Sequence, residues 1–253
     1  MVIDGHAHVS SSSFSSPEAL MEQLKAAQVD KAVIVPGGML DVRKMSSYVT
    51  GKSKPESTEP CNDFILETIR KYPDVFYGFY CVNPNQPINR VLEEVEQASR
   101  NGFKGLKLSP MVHQISFLGQ VSKELAALCG ELNLPFYTHV VVFPGANTSA
   151  LGMLAKEFPK TNFVFGHMGF GPLDNEAIEL SATTNNLFLE TSTATPLALR
   201  MAVEQAGPDK MFYGSEFPLS DPVIEKLKIE RLSISSNDKE KILSGTLSSL
   251  LGL

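Results

Sequence analysis

Cysteine is scarce in this chain: Cys61, Cys81 and Cys129 are odd in number and form no Cys-x-x-Cys pair. Neither a disulfide framework nor a zinc finger is indicated, and thiols buried or partly buried in a reducing compartment are the expectation. No stretch approaches 18 consecutive apolar residues, and the opening Met-Val-Ile-Asp-Gly-His has no basic segment leading into an apolar one. A cytoplasmic protein without membrane association is therefore expected. Positive charge is in deficit, with 22 Lys and Arg against 28 Asp and Glu for a net charge of -6. That balance leaves no footprint for nucleic acid, whose phosphates need clustered cations. No Gly-x-Gly-x-x-Gly follows the first apolar run, which argues against dinucleotide binding.

What is present is an ordinary globular composition, 43% hydrophobic and 20% charged over 253 residues, enough to bury one large core. Short runs rich in Val, Ile, Phe and Tyr alternate with stretches of helical periodicity, the signature of parallel strands buried on both faces. Eight runs are expected as strands: Val2 to Val9, Lys31 to Pro36, Val75 to Val82, Phe103 to Ser109, Pro135 to Val140, Asn162 to Met168, Asn186 to Thr191, and Lys210 to Ser215. Eight uninterrupted strand-helix units favour an α/β fold closed as a (β/α)8 TIM barrel spanning residues 1–253 as one domain. Ser16 before Pro17 and Glu18 reads as a helix N-cap, with Leu20, Leu24 and Ala27 as the buried stripe. Asn62 is expected to cap a second helix, and Asn237 with Glu240 to open the last one as a capping-box variant.

Two segments break the rhythm: the serine-rich Ser10 to Ser16, and the long Gly37 to Cys61 after strand two. Both follow C-terminal strand ends, the face on which barrels carry chemistry, so loop 37–61 is a candidate lid.

Only five histidines occur, and four fall at or near the C-terminal ends of strands one, five and six. His6 and His8 are two apart on a strand and so share a face; His139 and His167 close strands five and six and project into the same mouth. Imidazoles converging there suit one divalent metal, with zinc first and manganese, iron or nickel as alternatives, and about three protein ligands plus a water make a catalytic site. Glu216, directly after strand eight, is placed either to ligate that metal or to take a proton from its water, and the chemistry expected is hydrolysis. Lys107 shares a face with Gly105 and Ser109 and points inward. An unmodified amine that pairs with a carboxylate or binds an anionic substrate group is expected there, rather than a carbamate bridging two metals. His113, after strand four, either faces solvent or contacts substrate. Glu190, on strand seven, either hydrogen-bonds a ligand histidine or binds substrate. Met111, Phe143, Met168, Phe170, Ser192 and Phe217 could line the mouth, a mixed apolar set that suits a small organic substrate.

The pieces Asp4-Gly-His6-Ala-His8, Gly105-Leu-Lys107-Leu, Thr138-His139, Gly166-His167-Met-Gly169, Gly214-Ser215-Glu216-Phe217-Pro218 and the ending Ile242 to Leu251-Gly resemble, end to end, the amidohydrolase-related (amidohydrolase-2) branch of the amidohydrolase superfamily. The resemblance implies that His6, His8 and His139 bind the metal and that His167 handles a proton beside the bound water or substrate. Glu216 stands where that family usually has Asp, which displaces the carboxylate by roughly one carbon-carbon bond, on the scale of the 1 Å misplacements that matter in catalysis. A metal-dependent hydrolase of a small amide, ester or lactone is the first expectation. A non-oxidative decarboxylase of a small aromatic or unsaturated acid is the second, and a metal-free ligand-binding barrel the third. The barrel class allows a homodimer, although no apolar stripe marks its face.

Overall fold

The computed structural model describes residues 1–253. Its eight strands are β1 (Ile3–Val9), β2 (Lys31–Pro36), β3 (Phe76–Cys81), β4 (Gly105–Leu108), β5 (Phe136–Thr138), β6 (Phe163–Phe165), β7 (Leu187–Glu190) and β8 (Met211–Phe212). They lie side by side in sequence order in one sheet, each strand parallel to the next. β8 is too short to zip onto β1 by a regular ladder. The residues after it do so instead: Gly5 N donates to Tyr213 O (2.8 Å), Glu216 N to His6 O (2.8 Å) and His8 N to Phe217 O (2.7 Å). The Asp4 carboxylate adds a side-chain rung by accepting from Ser215 N at 2.8 Å. Barrel closure thus falls on the stretch that carries Glu216.

Strand alternation sorts side chains into two layers. Leu106, Leu108, Phe136, Phe163, Phe165, Leu187, Leu189 and Met211 face outward into a large apolar cluster with Leu20, Leu24, Val91, Leu125, Leu151 and Leu199 of the surrounding helices. Val33, Val35, Phe79, Tyr137, Val164 and Phe212 fill the barrel, joined by Leu247, Leu250 and Leu251 of the C-terminal helix Thr246–Leu251. That helix plugs the end of the barrel opposite the C-terminal strand ends, so the interior is packed core below and open only above.

Ser16 caps the helix Pro17–Ala27 through Ala19 N, and Pro17 occupies its first turn, as expected. Asn62 does not act as a cap: it is the first helical residue, and its amide pairs with both backbone groups of Cys81, fastening the helix to β3. Asn237 lies inside its helix, which Ser235 caps by accepting from Asp238 N. The strands expected to reach Val140, Met168 and Ser215 stop at Thr138, Phe165 and Phe212. Beyond two of those ends the chain turns left-handed, with φ +60° at His167, +56° at Met168 and +54° at Glu216, conformations that end a sheet ladder. Each costs an L-residue about 1–2 kcal/mol. Strain of this kind concentrates where a side chain must be aimed, and here it falls on two members of the histidine-carboxylate cluster.

Loop 37–61 is folded. It holds a turn at Val42–Lys44 and a short helix at Met45–Val49, and Glu56 ties it together by accepting from Tyr48 Oη (3.0 Å) and Lys44 Nζ (2.8 Å). No helix is long and apolar enough to cross a membrane.

Candidate metal centre

The ends of β1, β5 and β6 and the turn after β8 bring His6, His139, His167 and Glu216 together, with one ligand atom from each lying within 4.8 Å of all the others. His8 joins this group through His6, the two Nε2 atoms being 3.1 Å apart. The β1 spacing of two gives both rings the same side of the strand. The His139 ring stacks on that of His167, with centroids 4.3 Å apart. Gly166 allows this approach, since a Cβ there would collide with the His139 ring and lie 2.6 Å from Tyr137 Oη.

The proton positions follow from partners that can only donate or only accept. Tyr137 Oη donates to Glu190 Oε2 (2.8 Å), so it accepts from His6 Nδ1 (2.7 Å), leaving His6 Nε2 bare. His8 Nδ1 faces the Pro36 carbonyl at 3.2 Å, which fixes its proton there and bares Nε2 as well. Ser192 Oγ donates to Glu190 Oε2 (2.8 Å) and accepts from His167 Nδ1 (2.8 Å), with the same result for His167. One buried carboxylate, Glu190, therefore sets the tautomers of two histidines through two hydroxyls. It also accepts from His167 N (3.1 Å) and Ser192 N (2.6 Å).

Two bare nitrogens 3.1 Å apart repel unless a cation lies between them, and nitrogens each about 2.1 Å from a common ion adopt such a separation. Glu216 supplies a second mark of a site that suits a cation. Its Oε2 is buried without a hydrogen bond, although His6 Nδ1 lies 2.6 Å away with its proton directed to Tyr137. The donor set of neutral imidazoles and a carboxylate suits a divalent ion such as zinc, manganese or iron. The residues present fit a single divalent metal.

Electrostatics agree. Burial alone would lower the His6 pKa, but Glu216 raises it, so that in the absence of another cation His6 gathers a proton. Burial pulls His8 down to about 3 against the opposing pull of Glu216, and pulls His139 and His167 down as well, keeping all three neutral and able to ligate. Burial pushes Glu190 up, but the adjacent imidazoles of His6 and His167 and the Ser192 backbone amide outweigh this and hold it at about 2. Lys107 is buried behind the histidines and off the cavity lining, its Nζ 3.0 Å from His139 Nε2 and 3.5 Å from His6 Nε2, with burial drawing it down to about 8.

The other sequence candidates separate. Glu190 is buried beneath the cluster and does not line the cavity wall. His113 is buried as well, which corrects the surface expectation; its Nε2 pairs with the Thr58 carbonyl at 2.9 Å, tying down loop 37–61, and it is absent from the cavity lining. Met111 and Phe170 line the cavity, whereas Phe143, Met168, Ser192 and Phe217 do not. Tyr137 was missed by sequence reasoning. The signal was available, because Tyr137 stands two positions before His139 and so shares its inward face.

A cavity of about 650 Å³ opens above these residues. His8, His139, His167 and Glu216 form its floor, and loop 37–61 contributes Gly37 to Met45, Val49 and Glu56 to its wall.

A (β/α)8 barrel carrying a histidine-carboxylate centre at its C-terminal face defines the class. The chain belongs to the amidohydrolase family, whose model matches residues 3–253. Among solved structures it is similar to an uncharacterized TIM-barrel protein from Bordetella bronchiseptica, with 16% identity and a TM-score of 0.80 over 99% of this chain and 98% of that one. It is also similar to 5-carboxyvanillate decarboxylase from Sphingomonas paucimobilis (16% identity, TM-score 0.74, 100% and 99% covered). A third match is dihydroxybenzoic acid decarboxylase from a Polaromonas species, bearing manganese and the inhibitor 2-nitroresorcinol (16% identity, TM-score 0.75, 100% and 97% covered). At this identity the likeness establishes the fold.

Proposed function

We propose that this chain is a metal-dependent, non-oxidative decarboxylase of a small aromatic or unsaturated carboxylic acid. The observation that carries it is the convergence of His6, His139, His167 and Glu216 beneath a cavity whose upper wall mixes apolar side chains with paired charges. Decarboxylases with the same fold, one holding manganese, support this choice over hydrolysis. His6, His8 and His139 hold the metal, with Glu216 as the carboxylate ligand or base; manganese, zinc, iron and nickel all suit this set. The bound ion supplies Lewis acidity toward an oxygen of the substrate.

The chain's own residues do the rest. Lys107, behind His6 and His139, adds positive charge to the floor where a carboxylate would sit. Apolar walls strip water from that carboxylate, which favours its loss as neutral carbon dioxide. His167 Nε2 and Glu216 Oε2, 3.7 Å apart, are the two bases placed to take up a proton from solvent and hand it on. That proton passes to the substrate carbon as the bond to the carboxyl carbon breaks; the bond pair remains on the substrate carbon, and solvent restores the proton.

A second reading, hydrolysis of a small amide, ester or lactone, is favoured by the unpaired Glu216 Oε2, a ready base for a water at the centre. Manganese- and zinc-loaded protein incubated with hydroxylated benzoates and unsaturated acids should release carbon dioxide and form the product one carbon shorter. Turnover of lactones or esters with no release from any acid would reverse the preference. Elemental analysis of the purified chain, with His6→Ala as control, separates both from a metal-free binding barrel.

A further inference from the structure

The floor of the cavity accounts for only part of it. Even at the roughly 30 Å³ that one water-sized heavy atom occupies in a liquid, the nine heavy atoms of a benzoate fill less than half of the 650 Å³. The remainder is lined on several sides by apolar side chains: Phe14 from the loop after β1, Met39 and Val49 from that after β2, Met111 after β4, Phe170 after β6 and Leu219 after β8. Of these, Phe14 is 52% exposed, Val49 46%, Leu219 42% and Phe170 39%, an unusual concentration of bare apolar surface around one opening.

The charged groups of this upper region are paired with one another. Arg43 is paired in two contacts with Asp41 (2.8 and 3.0 Å) and Lys44 with Glu56 (2.8 Å). Ser10 Oγ bonds to Ser15 Oγ at 2.6 Å and accepts from Ser12 N at 3.2 Å. The two rim cations are balanced one for one by Asp41 and Glu56, so this part of the rim carries no net positive charge to attract a phosphate. What remains unmatched is apolar area, and an apolar group is what would cover it.

We propose that the upper cavity is a subsite for an extended apolar arm, so that the substrate is a carboxylic acid bearing a long alkyl or aryl substituent rather than a bare single-ring acid. This rests on the floor being where a carboxylate is held. The carboxylate goes down to the metal centre and the arm runs up past Met39 and Met111 to Phe170 and Leu219. Burying each added methylene of that arm tightens binding by about fourfold until the arm leaves the rim.

The test is calorimetric and independent of turnover. Manganese-loaded protein is titrated with 4-alkylbenzoates from hydrogen to hexyl, and in parallel with the matching 4-alkylbenzyl alcohols, which lack the carboxylate. The expected result is a stepwise gain near fourfold per methylene in wild type. The gain should flatten in Phe170→Ser and Leu219→Ser, two half-exposed sites whose substitution leaves the core intact, with thermal melting as the check on folding. A flat series in wild type overturns the subsite, as does a slope unchanged in both variants or an absence of binding in both series. The alcohols separate the two ideas. If they show the same slope and the same affinities as the acids, the arm subsite stands and the carboxylate assignment of the floor falls. If the acids bind better than the alcohols but without a slope, the reverse holds.

Discussion

Glu190 is the residue on which the metal centre most depends without offering it a ligand atom. Its carboxylate receives four hydrogen bonds, from Tyr137 Oη, Ser192 Oγ, Ser192 N and His167 N, at 2.6 to 3.1 Å. In Glu190→Gln one oxygen becomes a donating amide, and neither orientation is tolerable. With the amide on the side of Tyr137 and Ser192, both hydroxyls must reverse and donate to His6 and His167. That drives the ring protons to Nε2, the atoms that should meet the metal. With the amide on the other side, it faces the Ser192 N–H donor to donor. Loss of such an outer partner typically weakens metal binding by 10–100-fold, about 1.4–2.8 kcal/mol, and the double coupling here places the expectation at the upper end. Competition against a chelator of known affinity measures the first effect, and ¹⁵N spectra of the imidazoles report the tautomers directly. Metal affinity within twofold of wild type, with unchanged tautomers and an intact melting transition, would refute the relay through Tyr137 and Ser192.

Three further outcomes are expected. Glu216→Asp should withdraw the carboxylate by about 1.5 Å from His6 and His8 and lower kcat by about 100-fold in the metal-loaded enzyme; equal or higher turnover would show that the extra methylene is not used. Metal uptake should release a proton, because His6, raised by Glu216 in the metal-free chain, must give it up. Affinity should therefore fall as pH drops below the raised His6 value, approaching tenfold per unit, and calorimetry in buffers of different ionisation enthalpy should show the proton; pH-independent affinity across neutrality would contradict it. Gly166→Ala should push the new methyl into the His139 ring and Tyr137, costing about 1–3 kcal/mol by denaturant titration and weakening the metal in step, whereas unchanged affinity would mean that the ring can move aside freely.

The barrel and its histidines were legible in the chain because both are written locally. Strand periodicity needs only neighbouring residues, and eight alternating runs leave few architectures. His6 and His8 share a face by virtue of their spacing alone. The same rule placed Lys107 inward between Leu106 and Leu108, and there it lies. The strand ends were read too long because left-handed turns at His167 and Glu216 follow from aiming side chains at a common point, which no local preference announces.

What tertiary structure decided is where distant partners meet. Tyr137 and His6 are 131 positions apart, His113 and Thr58 are 55 apart, and Asp4 and Ser215 are 211 apart. In the sequence, Glu190 is a carboxylate near a strand end, equally suited to substrate or to structure. Its place under the cluster, as acceptor to two hydroxyls that fix two imidazoles, exists only once β5, β6 and β7 lie side by side. Hydrophobic alternation selects which face of a strand is buried, but a proton's position on a ring depends on the single atom opposite it, and that atom is supplied by the closed barrel.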